Sequence, residues 1–140
     1  GGRGKNKWPA KHDNILVYTK NQGQHVFNWD DIERIPYMAP GLCGPEKAAI
    51  GKVPTDVWWM SIVGTQSKER TGYPTQKPVK LIERAIEASS PKGGLVLDFF
   101  AGSGTTGAAA ANLGRECVLV DSNSDAIETM KNRFPNSKFY

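Results

Sequence analysis

Leu95-Val96-Leu97-Asp98-Phe99-Phe100-Ala101-Gly102-Ser103-Gly104-Thr105-Thr106-Gly107 runs into an alanine-rich stretch to Ala111 and then into Cys117-Val118-Leu119-Val120-Asp121. Leu95 to Leu97 form a short apolar run after a Gly93-Gly94 turn, as a buried parallel strand requires. Gly102 and Gly104 let backbone approach backbone or ligand where a side chain would collide. Thr105 and Thr106 are candidate caps for the helix that follows, and Ala108 to Ala111 favour that helix strongly. Leu113 lies near its end, and Gly114 suits a left-handed cap. Cys117 to Val120 reads as a second apolar strand with Asp121 at its carboxyl end. The unit is β-α-β with a right-handed crossover expected. Ligands in such sheets bind beyond the carboxyl ends of the strands, where Asp98, the glycine loop and Asp121 all fall.

Gly102 to Gly107 matches G-x-G-x-x-G, a weak signal alone. Asp98 discriminates between ligands. A pyrophosphate site calls for backbone donors and a positive helix end, not a carboxylate beside the loop. S-adenosylmethionine carries a sulfonium and an ammonium and no phosphate, so Asp98 can attract its amino-acid end. Asp121 can accept from ribose hydroxyls. No Gly-Lys-Ser/Thr follows the glycines, which disfavours a P-loop. A tight turn without a ligand is the plainer alternative.

Upstream and downstream segments narrow the choice. Asp98 to Thr106 resembles motif I of the DNA amino-methyltransferases, which make N6-methyladenine or N4-methylcytosine. Tyr73-Pro74-Thr75-Gln76-Lys77-Pro78 resembles their motif X, and Val118 to Asp121 their motif II. The order X, I, II matches the permuted beta group. The resemblance runs from about Lys11 onward and is strongest from Tyr73 to Phe134. It implies a Rossmann-like α/β methyltransferase fold, a partial parallel sheet with helices on both faces, and S-adenosylmethionine as cofactor. It also implies double-stranded DNA with a flipped base as partner, in a restriction-modification setting. Cofactor contacts are expected from Thr75, Lys77, Asp98, Phe100, Gly102, Gly104, Thr105 and Asp121. Phe99 stands where the family often has proline; packing under the loop and ligand contact are both open to it. Lys77 with the helix amino end can bind the cofactor's carboxylate, the alternative being a solvated lysine.

The family's catalytic motif, Asp/Asn/Ser-Pro-Pro-aromatic, uses a polar side chain and a proline carbonyl to accept from the target amine. No Pro-Pro pair occurs in the 140 residues, and Ile35-Pro36-Tyr37 is not a substitute. In the permuted order the motif should lie upstream of Gly1. The resemblance therefore implies the cofactor-binding part of the enzyme, inactive alone, with no catalytic residue assigned here. A missing upstream half or partner chain would supply the motif. Alternatives of other classes are an NAD-binding oxidoreductase domain and a non-catalytic DNA-binding remnant; Asp98 speaks against the first.

The rest divides into a basic arm and strand (1–25), an irregular region with possible target recognition (26–72) and the cofactor-binding unit (73–140). Arg3, Lys5, Lys7 and Lys11 with Trp8 suit either phosphate contact or a solvated loop. The absence of a start methionine leads us to expect that the chain begins inside a longer protein. Ile15-Leu16-Val17-Tyr18 reads as a strand, with His12 at its entrance as a polar cap rather than a base. Asp30 to Arg34 suits one helical turn. Trp58-Trp59 suit either a strand with one ring in the core or base stacking. Lys47, Lys52, Lys68 and Arg70 are candidate phosphate partners. Pro78 to Ala88 forms an amphipathic helix with Val79, Ile82 and Ile86 inward and Lys80, Glu83, Arg84 and Glu87 facing water, Pro78 taking its first position. Ser122 and Asp125 are spaced as a capping box for a further helix, and Lys138-Phe139-Tyr140 reads as the start of a third strand.

Net charge is +4 and the isoelectric point about 9.1, compatible with nucleic acid. Cys43 and Cys117 lie far apart in no metal pattern, and Cys117 reads as a small core residue. A reducing, cytoplasmic setting fits, with no membrane partner and no signal-peptide pattern.

Overall fold

The computed structural model describes residues 6, 8, 9 and 11–140. Arg3, Lys5 and Lys7 of the basic arm lie outside them. Strands β1 (Leu95–Asp98) and β2 (Glu116–Leu119) pair in parallel, with Leu95 opposite Glu116 and Asp98 opposite Leu119. The second strand thus starts one residue earlier than its apolar run. Pairing continues past the strand ends, where the Val120 N–H donates to Asp98 O and the Ala101 N–H to Val120 O. That continuation fixes the glycine loop over the carboxyl rim. Helix α3 (Thr105–Asn112) links the strands, preceded by α2 (Val79–Ser89) and followed by α4 (Ser124–Arg133).

All three helices lie on one face, which corrects the expectation of helices on both. Ile86 of α2 and Ala109 and Ala110 of α3 form a buried cluster with Val96 and Cys117 beneath them. The side chains of Met130 and Phe134 sit against Gly104, and those of Phe134 and Leu119 against Gly107. The opposite face carries Leu95, Leu97, Val118 and Val120, all exposed. Both faces are apolar in sequence, but residues 28–34 and Trp58 dock on α2 instead of covering the second face. Asn28 Nδ2 donates to the Glu87 and Ser90 carbonyls, and Trp58 stacks on Arg84 at 5.2 Å. Arg84 is correspondingly drawn out of water, with only 14% of its side chain exposed.

Further expectations need revision. Ile15 to Tyr18 form no strand; all four are exposed, and among the described residues no backbone hydrogen bond reaches them. A strand without a neighbour has no ladder to hold it. No strand forms at Trp58-Trp59 or at Lys138 to Tyr140, for the same reason. Trp59 is 95% exposed, and Phe139 lies beside Lys131. Asp30 to Arg34 form no helix; a turn closed from the Asp31 N–H to Asn28 O spans Asn28 to Asp31 instead.

The irregular region contains structure that its breakers hid. A 3-10 turn (Pro40–Leu42) and the short helix α1 (Pro45–Ile50) sit within a loop closed by an Ile35–Lys52 bridge. Caps also differ. Gly104, at φ +73°, precedes α3 with no side-chain cap. Asn123 caps α4 through the Asp125 N–H, one residue along from the expected Ser122. Pro78 precedes α2 rather than opening it. Gly114 is left-handed, as expected, at φ +67°. Among the described residues no helix is long and apolar enough to cross a membrane.

Candidate functional site: the carboxyl rim of the sheet

Asp98 ends β1, and its carboxylate holds the turn that follows. Oδ1 accepts the Phe100 N–H at 2.9 Å and Oδ2 the Thr106 hydroxyl at 2.6 Å. Asp121 follows β2 and reaches across the rim. Its Oδ2 accepts the Gly102 N–H at 2.7 Å and its Oδ1 the Asn123 N–H at 2.9 Å. These backbone donors hold the Asp121 carboxyl below its ordinary range. Each carboxylate oxygen keeps a free lone pair, so both groups can accept from a ligand as well.

The glycine loop is gripped from three further sides. Arg133 of α4 donates to Ser103 O at 3.0 Å. The buried Thr105 hydroxyl bonds Ser103 Oγ and donates to Lys77 O at 3.2 Å. A Cβ on Gly102, at φ +50°, would lie 3.2 Å from the Tyr73 ring. A Cβ on Gly104 would lie 2.7 Å from Phe134. The helix packed behind position 104 and its left-handed φ of +73° both call for glycine there. The Gly104 N–H is used within the turn, donating to Ala101 O.

The Tyr73 to Pro78 segment arrives at the same rim. Lys77 Nζ lies 2.9 Å from Asp13 Oδ2, both largely exposed, and the ammonium holds the Asp13 carboxyl below its ordinary value. Thr75 is exposed. At the amino end of α2, Glu69 Oε2 accepts one of the helix's N–H groups, that of Val79, at 3.0 Å. Phe100 is 90% exposed at the rim and Phe99 is exposed too, so Phe99 does not pack beneath the loop.

The rim thus brings together Asp98, Gly102, Thr105, Asp121 and the Lys77 backbone, with the Phe100 N–H held by Asp98 and the Phe100 ring and Thr75 exposed at the edge. From the sequence alone, Tyr73, Arg133, Glu69, Gln76 and Thr106 had no expected role in the site. Tyr73 and Gln76 lay within the quoted Tyr73 to Pro78 segment and Thr106 within the quoted Asp98 to Thr106 segment, whereas Arg133 and Glu69 carried no signal. Burial pushes the Cys117 thiol up, with the Asp98 carboxylate adding to it, which suits a packing residue. A groove of about 790 Å³ runs along the open side of β2 and meets the rim only at Asp121.

A family model described as DNA methylase, N6_N4_Mtase, matches residues 3–132. The chain is 39% identical over 133 residues to the type II methyltransferase M.HpaI of Haemophilus parainfluenzae, covering 94% of this chain and 41% of that protein. It is 33% identical to the DNA adenine methyltransferase YhdJ of Escherichia coli (strain K12), covering all of this chain and 50% of that one. Among solved structures, the M1.HpyAVI–SAM complex superposes with a TM-score of 0.52 at 29% identity, over 81% of this chain and 45% of that chain. The chain spans about half the length, or less, of these relatives.

Proposed function

The chain belongs to the N6/N4 DNA methylase family, and on that premise we propose that it is the S-adenosylmethionine-binding part of a DNA adenine-N6 or cytosine-N4 methyltransferase. The arrangement we assign is the permuted one, with motif X ahead of motifs I and II. The observation that carries this reading is the pair of carboxylates at the strand ends around a loop whose Gly102 N–H is already given to Asp121. Such a rim suits a cation with neighbouring hydroxyls. It is a poor seat for a pyrophosphate, which would need that donor and would meet two negative charges. A nicotinamide reading is accordingly disfavoured.

These residues fit S-adenosylmethionine by their chemistry. Asp98 accepts from the ammonium and Asp121 from the ribose hydroxyls. Lys77 exchanges Asp13 for the ligand carboxylate, with Thr75 beside it. Phe100 offers its exposed ring. Gly102 and Gly104 shape the turn, and Thr105 ties it to the Lys77 backbone. The bound cofactor supplies an electrophilic methyl group on a sulfonium. The chain's own residues orient that group but do not activate the target amine, because no Pro-Pro motif is present. We assign that step to polypeptide beyond these 140 residues. Residues 26–72 are then the target-recognition region and 73–140 the cofactor unit. Double-stranded DNA is the partner. The exposed Trp59 ring and the basic Lys47, Lys68 and Arg70 are the groups of the middle region suited to it.

The test is incubation of the chain with methyl-labelled S-adenosylmethionine and double-stranded DNA. The expected result is cofactor retained on the protein and DNA left unlabelled. Labelled DNA would contradict the division of labour, and absence of retained cofactor would contradict the site.

A further inference from the structure

Gln76 lies between Thr75 and Lys77 yet behaves unlike either. Its neighbours are exposed, while its own side chain is half-buried and bonded through both its oxygen and its nitrogen. Gln76 Oε1 accepts the Thr71 N–H at 2.8 Å and the Thr71 hydroxyl at 2.9 Å. Gln76 Nε2 donates to Glu69 O at 2.6 Å. Backbone adds one more closure, from the Gln76 N–H to Tyr73 O. Glu69 in turn caps α2 through the Val79 N–H, three residues beyond Gln76. Residues 69–79 are thereby a closed loop, with Gln76 bridging its two limbs and Tyr73 resting against Gly102.

We infer that Gln76, anchored on Glu69 and Thr71, is a positioning residue for the amino-acid end of the cofactor. The inference rests on the proposed S-adenosylmethionine site. Gln76 touches no ligand. It fixes the backbone from which Thr75 and Lys77 project and from which the Lys77 carbonyl meets Thr105. The amide is specifically required, because the site needs an acceptor on one side and a donor on the other. Glutamate at this position keeps the acceptor for Thr71 but sets a second oxygen against the Glu69 carbonyl.

A ligand pair separates positioning from folding. S-adenosylmethionine carries the amino-acid end, and 5′-methylthioadenosine lacks it while keeping the adenosine. Binding of both to the full chain is compared for the unaltered protein, Gln76→Glu and Thr71→Val, with thermal melting alongside. Gln76→Glu should weaken S-adenosylmethionine roughly tenfold, the equivalent of about one hydrogen bond, and leave methylthioadenosine nearly unchanged. Thr71→Val sits on the surface and keeps the fold, so it carries the test even if Gln76→Glu melts early. It should weaken S-adenosylmethionine by about threefold, with the same selectivity. Equal loss for both ligands, or no loss for either, overturns the positioning role. Failure of the unaltered chain to bind either ligand overturns the cofactor site itself and the inference with it, and is recognised because no variant is needed to see it.

Discussion

Asp121 serves its own chain before any ligand arrives, since its two oxygens accept the Gly102 and Asn123 N–H groups. Its carboxyl is therefore depressed from the ordinary 3.8 when folded. A depressed folded value contributes stability that is present above the unfolded value and is lost as pH falls through the folded one. Asp121→Asn should consequently flatten the acid limb of the stability curve below about pH 4, measured by denaturant titration at stepped pH. An unchanged limb would mean that these bonds do not favour the ionised form. Asp98 differs in having a side-chain donor. Asp98→Ala strands the Phe100 N–H and Thr106 hydroxyl, and should cost about 1–3 kcal/mol in chemical denaturation. A loss below about 0.5 kcal/mol would deny it the turn-holding role. Both acids were legible in the sequence because acid type and strand end coincide. The contacts of Tyr73 with Gly102 and of Arg133 with Ser103 were not, since they depend on how α2 and α4 pack.

At the amino end of α3, two glycines face the same aromatic ring under different constraints. Gly104 is left-handed, and its Cβ would meet Phe134 at 2.7 Å and Met130 at 3.0 Å. Gly104→Ala should destabilise by about 2–5 kcal/mol, adding the left-handed penalty to overpacking. At Gly107 no left-handed angle is required, and the nearest atom, at 2.8 Å, is the end of the flexible Leu119 side chain. Gly107→Ala also gains helix propensity of about 1 kcal/mol, so its net effect should stay within about 1 kcal/mol of the parent. Thermal melts of the two variants check the order, and a reversed order would refute this packing account. The β-α-β elements were legible from short apolar runs around glycine and alanine, where local preference and burial agree. Ile15 to Tyr18 misled because a strand pattern states a preference for pairing and cannot supply the pair. Helix α1 was hidden by Pro45 and Gly51, which bound it and read as breakers.

The molecule as a whole is one-sided. Helices α2, α3 and α4 cover one face of the two-stranded sheet, while Leu95, Leu97, Val118 and Val120 leave the other apolar and exposed beside Phe99 and Phe100. Such a continuous patch favours association. The chain should self-associate with rising concentration in sedimentation, and Leu97→Lys with Val118→Lys should suppress this. Monodisperse monomers of the unaltered chain at high concentration would contradict the prediction. The proposed seat of S-adenosylmethionine is the rim around Asp98 and Asp121. Its most direct test is equilibrium binding of S-adenosylmethionine and of NAD to the unaltered chain, Asp98→Ala and the shape-preserving Asp98→Asn. Binding of the first ligand only is expected, lost in Asp98→Ala and weakened in Asp98→Asn while the fold persists. Binding of NAD, or S-adenosylmethionine affinity indifferent to Asp98, would contradict it.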